Sequence, residues 1–177
     1  MNDKTATLSD TMQDFILRWG ERASHWGLNR TEAQIHALLY LSPKPLNAEE
    51  IVNALSIARS NVSHSLKELQ QWGLAKSVHV LGDRREHYET TKDVWQLFRI
   101  AVDEQKRREI DPVVRMLKEA IATQDGDKHT KERLGAMLEF FETMCSWYEG
   151  MKTLPLPLVR SFLKMGPKAV KFAGLKS

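Results

Sequence analysis

The chain has 177 residues, 42% of them hydrophobic and 28% charged, with a net charge of +3. That composition supports a packed core and argues against a disordered polymer. The single cysteine, Cys145, excludes an internal disulfide and any cysteine-based zinc site within one chain, and it suits a reducing cytoplasm. The N-terminal residues hold no signal-peptide-like apolar run, and no stretch approaches the ~18 apolar residues of a membrane span, so a cytoplasmic protein without membrane contact is expected.

Helical periodicity dominates. Leu8, Met12, Phe15, Ile16, Trp19, Ala23 and Trp26 recur at spacings of three and four and predict a helix over 9–25. Thr31 with Gln34 three residues on reads as a capping box for a second helix, which the run at 42–45 breaks. Asn47 is the expected cap of a short third helix, whose first turn carries Glu49 and Glu50. A turn at Ser56 and Ile57 leads to a fourth helix over 58–72, with Val62, Leu66 and Leu69 inward and Gly73 at its end. The β-branched and apolar run at 74–81, a turn at Gly82 and Asp83, and a returning strand over 85–90 predict a β-hairpin.

The rest reads as helix. A long segment to about residue 123 is expected to break at Asp111–Pro112. A last helix over 129–150 carries the stripe Leu134, Met137, Leu138, Phe141, Cys145 and Tyr148, and the proline-rich 154–157 ends the regular part. The fold class is therefore mainly α with a small β-hairpin wing: a winged helix-turn-helix with N- and C-terminal dimerisation helices. The expected divisions are 1–29 (dimerisation helix), 30–91 (DNA-binding domain), 92–151 (helical arm) and 152–177 (basic tail).

In this order of elements the fourth helix enters the major groove of double-stranded DNA and the hairpin reaches the adjacent backbone or minor groove. Arg59, Ser60, Asn61, Ser63, His64 and Lys67 lie off the apolar face and supply hydrogen-bonding and cationic groups. Arg84, Arg85 and His87 add to them from the wing. Residues 30–90 nevertheless hold seven Lys/Arg against seven Asp/Glu, so placement rather than excess charge carries this expectation. The alternative is a winged helix that binds protein instead of DNA.

The run over 54–91, with its helix, the Trp72-Gly73-Leu74 turn, and Gly82, Arg84 and Tyr88 in the wing, resembles the MarR superfamily. It is most similar to the GbsR branch, and 90–112 resembles the start of that branch's helical arm. The resemblance implies a transcriptional regulator, a repressor in the leading reading. It also implies a homodimer formed by the N-terminal helix and the C-terminal arm. One departure stands at the turn, where relatives carry Gly and then Ser and this chain has Ser56 and Ala58. Either the recognition helix starts elsewhere, or Ser60 or Asn61 takes over the cap.

Some members of the branch respond to choline or related osmolytes, and an aromatic cage holds a quaternary ammonium group. Trp19, Trp26, Trp95, Trp147 and Tyr148 are the candidates here, although aromatics at helical spacing are more often core. No metal-ligand spacing, cofactor fingerprint or enzyme motif is found, so no metal, cofactor or catalytic activity is expected. Residues 152–177 hold six Lys/Arg and no acid, a basic tail expected to pack on the dimer or touch DNA.

Overall fold

The computed structural model describes residues 8–23, 27–123 and 127–165. They form two compact units, divided between Glu104 and Gln105.

In the first unit, α1 (Asp10–Ala23) packs on α2 (Arg30–Leu41) through its narrowest residue. A Cβ at Gly20 would lie 2.6 Å from Gln34 Cγ and 3.2 Å from the Arg30 carbonyl oxygen. Of the predicted α1 stripe, Ile16 and Ala23 are buried. Phe15 and Trp19 instead stack on each other, centroids 5.7 Å apart, and stay 41% and 43% exposed. The α2 capping box lies two residues earlier than expected. Asn29 Oδ1 accepts from the Glu32 N–H at 2.9 Å, and Glu32 Oε2 accepts from the Asn29 N–H at 3.0 Å, so Thr31 is already inside the helix. Asn and Asp cap at least as well as Thr, which is why the earlier box prevails.

β1 (Leu46–Asn47) leads into α3 (Ala48–Leu55), capped by Asn47 as expected, with Glu50 closing the box. Ser56 then adopts the left-handed conformation, φ +52°, where glycine is favoured. α4 (Arg59–Gln71) follows with Ala58 at its cap and no side-chain cap bond. The helix thus starts where the pattern places it, and neither Ser60 nor Asn61 takes over the cap. Val62, Leu66 and Leu69 pack beneath it with Ile35, Leu38, Leu39 and Ile51. Each such side chain withdrawn from water contributes roughly 1.5–3 kcal/mol.

The hairpin pairs β2 (Lys76–Val80) with β3 (Asp83–Glu89). Its turn is Leu81–Gly82, one residue before the expected position, because Gly82 supplies the positive φ of +86°. A bulge lies in β3: Val78 faces His87 while Val80 already faces Asp83. β1 completes a three-stranded sheet in the order β1-β3-β2, with Asn47 opposite His87. Two residues are too few for a sequence period, so this strand is not visible in the pattern. α5 (Val94–Gln105) follows the sheet.

The second unit opens with a π-helical turn at Lys106–Ile110, then α6 (Asp111–Ala122), α7 (Lys128–Thr153) and α8 (Leu156–Met165). The expected break at Asp111–Pro112 takes the form of this wide turn, which precedes the residue that lacks an N–H. Asp111 does not cap; its carboxylate binds Lys106 Nζ at 2.8 Å. Leu117 is the buried residue of α6, and Lys118 pairs with Glu142 of α7 at 2.7 Å. On α7, Leu134, Leu138, Phe141, Cys145 and Tyr148 are half-buried and Met137 is exposed. Regular structure resumes after Pro155 as α8, beyond the expected end. Lys168, Lys171 and Lys176 of the basic tail lie outside the described residues. Among the described residues no helix is long and apolar enough to cross a membrane.

Candidate nucleic-acid interface

The α4 face opposite the core is built from six of the expected side chains. Arg59, Ser60, Asn61, Ser63, His64 and Lys67 are all exposed, while Val62, Ser65, Leu66 and Leu69 on the other side are buried. The helix period enforces this division: the positions between inward residues turn outward. The exposed face carries hydroxyl, amide, imidazole and cationic groups and no acid before Glu68. Such groups can donate to phosphates and to base edges.

The wing places its three expected residues in three different environments. Arg84 is exposed on the bulged stretch of β3. Arg85 is exposed but held. Its Nε lies 3.0 Å from both Asp83 carboxylate oxygens, its Nη2 2.6 Å from Asp83 Oδ2, and its Nη1 3.2 Å from Glu49 Oε2. The Asp83 carboxylate also accepts the Arg85 backbone N–H at 2.9 Å. These bonds hold the Asp83 carboxyl down at about 2 and raise Arg85 further above its ordinary value. His87 is a correction. It is 5% exposed, with Nδ1 2.9 Å from the Arg85 carbonyl oxygen and Nε2 3.5 Å from Asp83 Oδ2. Both ring nitrogens thus lie against atoms of the wing itself, and the side chain serves as an internal contact of the hairpin. At the tip, Leu81 is fully exposed.

The first unit also contains an apolar cavity of about 300 Å³. Phe15, Trp19, Trp72 and Phe98 line it, and His36 and Tyr40 are polar groups in its wall. Burial, and then the charge of Lys92, push the His36 imidazole down to about 4, so it is neutral at pH 7. The Lys92 ammonium lies over the Tyr40 ring, 5.8 Å from its centroid. Of the four aromatic candidates among the described residues, Trp19 lines this cavity. Trp95 follows the α5 N-terminus without reaching it, and Trp147 and Tyr148 belong to α7 of the second unit. The Tyr148 ring already faces Lys152 Nζ at 5.7 Å, and Trp26 lies outside the described residues.

Sequence reasoning missed Glu49, Lys92 and His36. Their partners are Arg85, the carbonyls of Leu39, Tyr40 and Ser42, and Thr90, each 36 or more positions away. No local pattern carries such contacts.

Comparison with known proteins places this geometry. Residues 26–86 match the model of the MarR family. The HTH-type transcriptional regulator YvaV of Bacillus subtilis (strain 168) is 25% identical over 99 residues, 55% of this chain and 56% of that protein. The HTH-type transcriptional repressor OpcR of the same organism is 22% identical over 86 residues, 49% of this chain and 46% of that protein. The matched stretch thus spans about half the length of these relatives. A crystal structure of a transcriptional regulator shares the fold, with a TM-score of 0.64 and 20% identity over 79% of this chain and 94% of that one. Residues 26–86 thus resemble the MarR family and fold as a winged helix, within a mostly helical chain whose small antiparallel sheet forms the wing.

Proposed function

From the winged helix at residues 26–86 and its resemblance to the MarR family, we propose that this chain is a cytoplasmic transcriptional repressor of the GbsR branch. It binds operator DNA as a homodimer, with α4 in the major groove and the wing on the adjacent backbone. The observation that carries this reading is the α4 face, where six hydrogen-bonding or cationic side chains stand exposed around a fully buried apolar spine. The relatives named as a transcriptional regulator and a transcriptional repressor support the same reading. Phe15 and Trp19 on α1, and Met137, Phe140, Met144 and Trp147 on α7, are large exposed apolar side chains that a second copy would cover. Light scattering that reports a monomer at micromolar concentration would remove the dimer.

Electrophoretic shift with DNA from upstream of the chain's own gene tests the main claim. Binding should weaken steeply with salt. Arg59→Ala and Lys67→Ala should each weaken it and each reduce the salt slope by about one unit if they contact phosphate. A protein-binding winged helix is the second reading, favoured by the neutralisation of Arg85 by Asp83 and Glu49. Salt-independent, negligible affinity for every fragment would leave that reading in place.

A small effector would act by fitting one arrangement of the dimer better than another. The cavity beside Trp19 is the place proposed for it. Its apolar wall and the Lys92 charge over Tyr40 favour an uncharged molecule over choline or another quaternary ammonium. Titration with choline while following tryptophan fluorescence separates these classes, since an unchanged signal at millimolar choline excludes it.

A further inference from the structure

We propose that Glu49, at the start of α3, competes with DNA for the wing arginine Arg85 and thereby sets the affinity of the winged helix for DNA. The inference rests on the DNA-binding reading above. A guanidinium has five N–H donors in a fixed plane. Asp83 occupies the edge formed by Nε and Nη2, and it also takes the Arg85 backbone N–H. That carboxylate is part of the wing itself and orients the arginine. Glu49 is different. It belongs to another element, 36 residues away, and takes the Nη1 side at 3.2 Å. The two side chains are 56% and 59% exposed, so the pair lies open to solvent and to an incoming phosphate.

Glu49 stands in the first turn of α3, where its charge also favours the helix N-terminus, but its carboxylate takes no part in the capping box. The α3 capping box uses Asn47 and Glu50: the Glu50 carboxylate accepts the Asn47 N–H at 2.8 Å and pairs with Lys44 at 2.8 Å. The Asn47 carboxamide takes the Glu49 backbone N–H at 3.0 Å, which leaves the Glu49 side chain uninvolved in the cap. A phosphate oxygen that approached Nη1 of Arg85 would therefore meet the Glu49 carboxylate. One of the two anions must leave, because like charges in one donor site repel. While Glu49 stays, Arg85 offers DNA its remaining N–H groups only. Once Glu49 is neutral, the Asp83-oriented guanidinium is available on its open side.

The experiment measures dissociation constants at low and moderate salt for four proteins: wild type, Glu49→Gln, Arg85→Ala and the double variant. The probes are a fluorescein-labelled duplex from upstream of the chain's own gene and a scrambled duplex of equal length. Thermal melting of each protein confirms the fold, and Glu49→Ala serves as a second neutral variant. Glu49→Gln should bind DNA about two- to five-fold tighter than wild type, a gain that shrinks as salt rises. In the Arg85→Ala background the same substitution should change nothing. An equal gain in both backgrounds would show that Glu49 acts by general charge and overturn the competition, as would no gain in either. If wild type binds and Glu49→Gln matches it, the inference alone fails. If none of the four proteins binds either duplex, the DNA-binding reading fails with it.

Discussion

His36 Nε2 and Thr90 Oγ1 meet at 3.4 Å, joining the middle of α2 to the end of the wing's central strand across 54 residues of chain. Beside them Lys92 reaches back to the same helix, its Nζ 2.5–2.8 Å from the carbonyl oxygens of Leu39, Tyr40 and Ser42. The last carbonyls of a helix lack intrahelical partners, and an ammonium there both satisfies them and complements the helix dipole. The wing is thus tied to α2 by two polar contacts at the edge of the apolar cavity that His36 lines.

The burial of His36, with the nearby Lys92 charge, makes stability depend on pH. His36 is held at about 4 in the folded chain, below its ordinary 6.5, so the unfolded state takes up a proton first as pH falls. Stability is full above about pH 6.5 and declines towards pH 4, by up to about 3 kcal/mol over that window. His36→Gln should flatten the decline. Urea titrations between pH 4 and 7 measure it, and an equally steep decline in the variant would assign the effect to other groups.

Lys92→Met removes three charge-assisted bonds from the α2 C-terminus while keeping the length of the side chain. It should destabilise the first unit by about 2 kcal/mol. It also removes the positive charge that helps depress His36, so the acid-induced loss should begin near the same pH but span a narrower range. Chemical denaturation of the two variants and their combination reads both effects.

The turn into α4 is locally suboptimal. Ser56 sits at φ +52° and Ala58 leaves the helix without a side-chain cap. Ser56→Gly should stabilise by about 0.5–1 kcal/mol and Ala58→Ser by about 1 kcal/mol. Raised melting temperatures that add in the double variant are the expected result; an unchanged Ala58→Ser protein would mean that solvent already satisfies the α4 N-terminus.

Gly20 permits the α1–α2 crossing. Gly20→Val would press its branches on Gln34 and on the Arg30 carbonyl, and only the former can swing away. A loss of about 1–3 kcal/mol is expected, read by thermal melting, with Gly20→Ala falling between wild type and valine.

Much of the fold was legible in short windows. The α4 face, the Asn47 cap and the hairpin follow from the helix period, one side-chain-to-backbone bond and one turn glycine, all local in sequence. The misplaced α2 cap shows the limit of such reading, because Asn29–Glu32 and Thr31–Gln34 are both acceptable boxes and only the backbone chooses. His87 shows another, since its place close to the wing tip suggested a surface contact, whereas the folded chain buries it.

The sequence by itself therefore determined the helices of the winged helix, the hairpin, their order, and the hydrogen-bonding face of the fourth helix, but neither β1 nor α8. Each rests on interactions within a few residues, whose geometry the period and the turns prescribe. Tertiary structure alone decided that Glu49 reaches Arg85, that Lys92 closes α2, that His36 meets Thr90, and that Trp19 borders the cavity. Those contacts join residues that are neighbours only after the apolar core has closed the loops between them. Their chemistry is set by burial and charge at the meeting point, which no stretch of chain specifies alone.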